Sequence, residues 1–243
     1  MSLTLAELAI HIPASIELFE KYELDYYQNG KQPLSDACEQ KGLSFDAIDK
    51  EISLLQSNQQ DTHLLALEEM SIERLIDFIN GQYHADEEEV LCLIQASIHL
   101  LLRDKNCSVM LEMLLKKVQQ KFQRLADKLT LHCKKEDELL FPYLRKLIDL
   151  HKYKAPFSSV QATLKSPVPI LEAEHVEATV ILSRIRRATN NFRIPANAHP
   201  QYVILIGYLK NFERNLHMHI HIENNILFPK LNALEEELKN RKN

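Results

Sequence analysis

Apolar residues recur at helical intervals through most of the chain. Leu5, Leu8, Ile12, Ile16 and Phe19 keep three- and four-residue steps, the period that lines side chains along one face of an α-helix. A turn-rich stretch from Tyr22 to Pro33, containing Asn29-Gly30, interrupts the pattern. Ser35-Asp-Ala-Cys-Glu39 and Ser44 to Glu51 then open further helices on capping residues. The polar run Gln56-Ser-Asn-Gln-Gln-Asp61 predicts a linker. A small helical module is therefore expected over residues 1–60 and a larger region over 68–243.

That second region carries four long helical patterns. The first starts at Ser71, an N-cap residue with Glu73-Arg74 in the first turn, and runs to about Arg103. The second covers about Ser108 to Phe141, with a continuation beyond Pro142 left open, the third Ile170 to Asn190 and the fourth Gln201 to Phe228, with a charged tail to Asn243. Pro156, Pro167 and Pro169 mark one connection, and Pro195 and Pro200 another. Pro142 and Pro229 are expected to end or kink their helices, because a proline ring clashes with the carbonyl four residues back.

Composition agrees with an all-α protein: four Gly, no Trp, 45% hydrophobic and 26% charged residues in 243. The net charge of −5 comes with no long basic stretch, which argues against a nucleic-acid partner. The N-terminus lacks the basic and apolar parts of a signal peptide. The most apolar run, Val90 to Leu102, is broken by Gln95, Ser97 and His99 and is too short to span a bilayer. Cys38, Cys92, Cys107 and Cys133 form no C-x-x-C pair and no disulfide framework. A cytoplasmic protein with reduced thiols and no membrane partner is expected.

One motif changes this picture. Residues 132–144 and 219–231 both fit H-x3-E-x2-[LI]-L-F-P-x-L. A His and a Glu four positions apart share a helix face, with Cβ atoms roughly 6 Å apart. Each copy is preceded by a lone His in an acidic context, Tyr83-His84-Ala-Asp86 and Glu174-His175-Val-Glu177. The repeat reads as two helical hairpins related by a pseudo-twofold axis, a plan for a four-helix bundle with a site in its core.

The candidate metal ligands are His84, His132, Glu136, His175, His219 and Glu223. If both carboxylates bridge two ions, each ion receives two imidazoles and two carboxylate oxygens. An octahedral ion then keeps one position for a bridging oxide or hydroxide and one for a ligand. Mixed N/O donors with open positions suit non-haem iron better than manganese, and tetrahedral zinc less well. Glu174, beside His175, is a candidate for a supporting contact behind the ligands or for a proton relay. Cys133 reads as a core or supporting thiol. His11, His63, His151 and His199 are expected in solvent and His99 in the core. His217 and His221, two positions from His219, fall on the other side of their helix.

These residues resemble a hemerythrin-like domain, and more narrowly the di-iron family that repairs iron–sulfur clusters after nitrosative and oxidative stress. Leu5 to Pro13, Phe19 to Tyr26 and Gly30 to Leu34 resemble the short N-terminal module of that family. The bundle matches at Tyr83-His84, His132/Glu136, Glu174-His175 and His219/Glu223-Asn-Asn-Ile-Leu-Phe-Pro229. The resemblance implies a hemerythrin-like four-helix bundle after a small helical N-terminal domain, with two non-haem iron ions held by four His and two bridging carboxylates. It also implies damaged iron–sulfur proteins as partners, with NO or O2 as small ligands. The family's module typically carries Asp-Tyr-Cys-Cys-Gly-Gly-Lys, where this chain has Asp25-Tyr26-Tyr27-Gln28-Asn29-Gly30-Lys31. Tyr27 and Gln28 cannot act as thiolates.

Three functions follow as expectations. The first is a di-iron protein supporting cluster repair by iron donation or NO handling, without conventional substrate turnover. The second is an O2 or NO binding or sensing module without a repair role. The third is a metal-free helical interaction protein. The oligomeric state, a homodimer among the options, is left open.

Overall fold

The computed structural model describes residues 3–57, 63–155 and 166–241. Part of the expected linker and the connection containing Pro156 lie outside the described residues. Every regular element among the described residues is helical, beside an isolated bridge between Thr4 and Pro33. In chain order they are α1 (Leu5–His11), α2 (Ser15–Tyr22), α3 (Leu34–Lys41), α4 (Phe45–Ser57), α5 (His63–Glu69) and α6 (Ile72–Ile79). There follow α7 (Ala85–Arg103), α8 (Val109–Lys135), α9 (Phe141–Tyr153), α10 (Val168–Ala188), α11 (Pro200–Ile222) and α12 (Phe228–Asn240). Three π-helical turns interrupt the series, at Asn80–His84, Glu136–Leu140 and Glu223–Leu227.

The chain forms two compact units. Met1–Leu75 and Met218–Asn243 make up unit 1, and Ile76–His217 makes up unit 2. Unit 1 begins with a capping box: the Thr4 hydroxyl accepts from the Glu7 amide, and the Glu7 carboxylate accepts from the Thr4 amide. α2 stops at Glu23 and α3 at Gly42, both in the left-handed conformation that ends helices. Leu5, Ile16, Phe19, Tyr26 and Leu34 are buried together with these helices. Such large side chains each contribute roughly 1.5–3 kcal/mol when removed from water.

Unit 2 holds the long helices of a hemerythrin-like bundle. α8 packs against α7 and α10, and Phe122 meets Phe212 of α11 edge-on at 5.7 Å between ring centres. Arg186 of α10 donates to both carboxylate oxygens of Glu213 on α11. The core stripe of α8 is Leu115, Val118, Phe122, Leu125 and Leu129, all buried. Its next two positions in the same three-four rhythm are His132 and Glu136. On α10 the stripe Leu171, Ala178, Leu182 and Ile185 has His175 within it. The candidate ligands thus occupy positions that helix geometry reserves for core residues.

The π-turns account for two departures from expectation. Pro142 and Pro229 do not stop their helices, which continue as α9 and α12 with each proline in the first turn. Immediately before each proline, the amide of Phe141 or Phe228 donates to the carbonyl five residues back, Glu136 or Glu223. That wider turn relieves the clash a proline makes with an α-helical carbonyl. The third π-turn splits the expected helix from Ser71 to Arg103. It lengthens one step of the stripe to five residues, Ile79 to His84, and so brings His84 onto the core side. His99, expected in the core, is exposed beside Gln119, because α7 is amphipathic and also exposes Leu93 and Leu100. His199, expected in solvent, pairs with Asp104 at 3.0 Å. No helix among the described residues is long and apolar enough to cross a membrane.

Candidate metal centre

Four of the six candidate ligands converge in unit 2. Glu136, the first residue of its π-turn, has a fully buried side chain. Its Oε2 lies 3.0 Å from His84 Nε2, and its Oε1 lies 3.1 Å from His132 Nε2. His175 Nε2 lies 3.0 Å from His132 Nε2. His132, Glu136 and His175 each offer a donor atom within 4.8 Å of the others. One carboxylate therefore divides its oxygens between two sets of imidazoles. Phe141 of the L-F-P segment stacks on the His84 ring at 5.8 Å and limits its rotation.

The outer nitrogens settle the tautomers. His84 Nδ1 faces Asp137 Oδ1 at 3.2 Å, and His132 Nδ1 faces Glu174 Oε2 at 3.1 Å. An ionised carboxylate accepts only, so each Nδ1 carries a proton, and in the neutral ring Nε2 then presents the lone pair. Both Nε2 atoms lie about 3 Å from Glu136, whose oxygens receive no aligned hydrogen-bond donor. Unprotonated imidazole nitrogens and a carboxylate repel one another at 3 Å in a buried site, and a cation between them turns the repulsion into ligation. The donor set fits a metal on this ground, and its N/O composition suits iron.

Unit 1 carries the second His-Glu pair. His219 Nε2 is 3.2 Å from Glu223 Oε1, and both side chains are buried, Glu223 completely. Glu223 opens a π-turn just as Glu136 does. The sequence therefore builds the same local geometry twice.

The two pairs have different surroundings. Glu174 also forms an ion pair with Lys135, and Lys128 pairs with Glu177. Burial works to raise the Glu174 pKa, but the hydrogen bonds from Lys135 and His132 outweigh it and hold the carboxyl below its ordinary value. These side chains line a cavity of about 170 Å³ that reaches His132. Cys133 donates to Glu87 at 2.7 Å and is held as a structural thiol. Around the second pair, His221 is fully buried and its Nδ1 lies 3.3 Å from the Tyr26 carbonyl. Burial lowers the His221 pKa to about 4, opposed by that hydrogen bond, so the ring is neutral at physiological pH. Asn224 and Asn225 donate to the carbonyls of Tyr26 and Tyr27.

Asp137, His221, Asn224 and Asn225 were not among the candidates read from the sequence. Asp137 offers no signal, being one of three consecutive acidic residues. The other three lie off the ligand face, where polar residues read as solvated. Their signal is the lack of charge at positions where the first motif copy is charged throughout.

Comparisons with known proteins match two stretches of the chain to two different family models. The family model described as Hemerythrin HHE cation binding domain matches residues 166–242. The model described as Domain of Unknown function (DUF542) matches residues 2–56. The chain is 31% identical over 235 residues to the iron-sulfur cluster repair protein YtfE of Escherichia coli O81, with 95% of this chain and 97% of that protein covered. It is 29% identical over 231 residues to the probable iron-sulfur cluster repair protein of Haemophilus influenzae, covering 93% and 95%. The YtfE protein of Escherichia fergusonii is 30% identical over 235 residues, covering 95% and 97%.

Proposed function

This chain belongs to the iron–sulfur cluster repair protein family, and from that premise we propose that it is a cytoplasmic di-iron protein that helps restore clusters damaged by nitrosative or oxidative stress. The observation that carries the reading is the divided carboxylate of Glu136. One oxygen faces His84 and the other faces His132, whose Nε2 lies beside that of His175. A carboxylate in that position would serve as a ligand on both of its sides, beside His84 and beside His132 and His175. The repeated motif assigns the same role to Glu223, with His219 as the sixth ligand. The inner shell is then His84, His132, His175 and His219 with two bridging carboxylates.

Bound iron supplies both a transferable cation for cluster rebuilding and an open position for NO or O2. The protein's own groups set how tightly that cargo is held. Asp137 and Glu174 keep the protons of His84 and His132 on Nδ1, which gives Nε2 the role of ligand atom. The Lys135–Glu174 ion pair holds Glu174 ionised behind His132. The cavity lined by His132, Lys135 and Glu174 offers a small ligand a route from solvent.

The test is reactivation of an NO-damaged cluster enzyme by the iron-loaded protein, beside a Tyr27→Cys/Gln28→Cys variant. Reactivation by the natural chain supports iron donation from the bundle alone. Reactivation only by the double-Cys variant favours the second reading, NO or O2 binding without repair. The observation behind that reading is the replacement of the family's cysteine pair by Tyr27 and Gln28.

A further inference from the structure

The π-turn Glu223–Leu227 has a second set of contacts that metal ligation does not use. Asn225 Nδ2 lies 3.1 Å from the carbonyl of Tyr26 and 3.2 Å from that of Tyr27. Asn224 Nδ2 is 3.2 Å from the Tyr27 carbonyl, and His221 Nδ1 is 3.3 Å from that of Tyr26. All four contacts are made to one loop of unit 1, between α2 and α3. The Tyr26 ring is fully buried and lies 5.3 Å from the His221 ring. Gly30 closes the seat: a Cβ there would stand 2.4 Å from Asn225 Oδ1 and 2.8 Å from the Ala6 Cβ. The Gly30 carbonyl in turn accepts from the Ala6 amide at 2.8 Å, which ties the loop to α1.

One five-residue turn thus presents a candidate metal ligand and, on the next two residues, the amides that hold the N-terminal loop. A π-turn is rarer and less regular than an α-turn and persists where surrounding contacts hold it. Here Pro229 and two sets of contacts bear on the turn, Glu223 toward His219 and the amides of Asn224 and Asn225 toward the loop. Losing either set frees the turn to shift, and the shift moves the other set.

We propose that Asn225, with Asn224 and His221, is a positioning element that couples docking of the N-terminal loop to metal retention at Glu223. The coupling rests on the di-iron reading of Glu223. Metal at Glu223 stiffens the turn and tightens the loop; the docked loop stiffens the turn and tightens metal binding. Linkage requires the two effects to be equal at equilibrium.

The full-length protein loaded with iron(II) under anaerobic conditions tests this, with release to a chromogenic chelator and amide hydrogen exchange of residues 24–31 as readouts. Asn225→Asp removes the donor and sets an oxygen against two carbonyls. Gly30→Ala disturbs the same contact from the loop side. Asn224→Ala, which deletes one hydrogen bond, is the milder variant should either fail to fold. Removing iron from the natural protein should speed exchange in the loop by about tenfold, and each variant should speed release of one iron by about tenfold. Glu138→Gln, at the position of the first motif copy that matches Asn225, should release iron at the natural rate. Loop exchange that is the same with and without iron, or natural release rates in the variants, would overturn the coupling alone. A natural protein that takes up no iron would overturn the di-iron reading and the coupling with it.

Discussion

Lys134 and Glu138 of the first motif copy form an exposed ion pair at 3.7 Å, with each side chain more than half in solvent. The same two positions of the second copy hold His221 and Asn225, whose side chains meet at 3.0 Å around the buried His221 ring. Asp137, behind His84 in the first copy, corresponds to Asn224, which holds the Tyr27 carbonyl in the second. The inner residues are identical and the outer ones are exchanged throughout. An exposed i,i+4 ion pair is worth about 0.3–0.5 kcal/mol, whereas each buried hydrogen bond of the clasp is worth about 0.5–1.5 kcal/mol and costs more when broken. The difference separates two demands on one helix. Metal chemistry dictates the ligand face, and whatever covers the opposite face dictates the rest: water in one copy, the N-terminal loop in the other.

If the inner faces are equivalent, Glu136→Ala and Glu223→Ala should do equal and severe damage, each removing the bridge from both ions. Titration with iron(II) should find neither variant able to hold a pair of ions. Loss confined to one of the two variants would break the equivalence of the copies.

The outer faces differ most in their response to acid. The folded-state pKa of His221 is about 4 against an ordinary 6.5, so the unfolded chain takes the proton first as pH falls. The stabilisation is complete above pH 6.5 and is lost progressively down to about pH 4, in total on the order of 3 kcal/mol. Denaturant unfolding of the metal-stripped protein should show this slope, and His221→Gln should remove that share of it. Lys134→Gln, at the matching exposed site, should leave the slope in place. An unchanged slope in His221→Gln would mean that the buried clasp does not hold this ring neutral.

A smaller effect sharpens the first copy alone. Asp137→Asn and Glu174→Gln free the Nδ1 protons of His84 and His132 from their carboxylate partners, and each should weaken iron binding by about tenfold. Competition with a chelator measures it. Natural affinity in both variants would show that the outer carboxylates do not set the tautomers.

The ligand faces were legible in the sequence because their signal is periodic. His132 and Glu136 continue the three-four rhythm of Leu115 to Leu129, and His175 interrupts an apolar stripe at one of its own positions. The structure brings His84, His132, Glu136 and His175 within reach of one another, and His219 within reach of Glu223. The π-turns were not legible. The five-residue step from Ile79 to His84 was hidden inside what reads as one helix from Ser71 to Arg103, and Pro142 and Pro229 read as ends or kinks. The clasp was hidden for another reason: Asn224 and Asn225 satisfy backbone carbonyls almost two hundred positions away in sequence, and no local pattern reports such a partner. His99 misled in the opposite direction, because a run of apolar residues on α7 conceals an exposed side.

The central claim is that paired carboxylates hold two ions in one chain. Elemental analysis of protein purified from iron-supplemented cells, with adventitious zinc excluded, tests it most directly. About two iron ions per chain is the expected result for a bridged site of this donor set. One zinc ion per chain and no iron would contradict it.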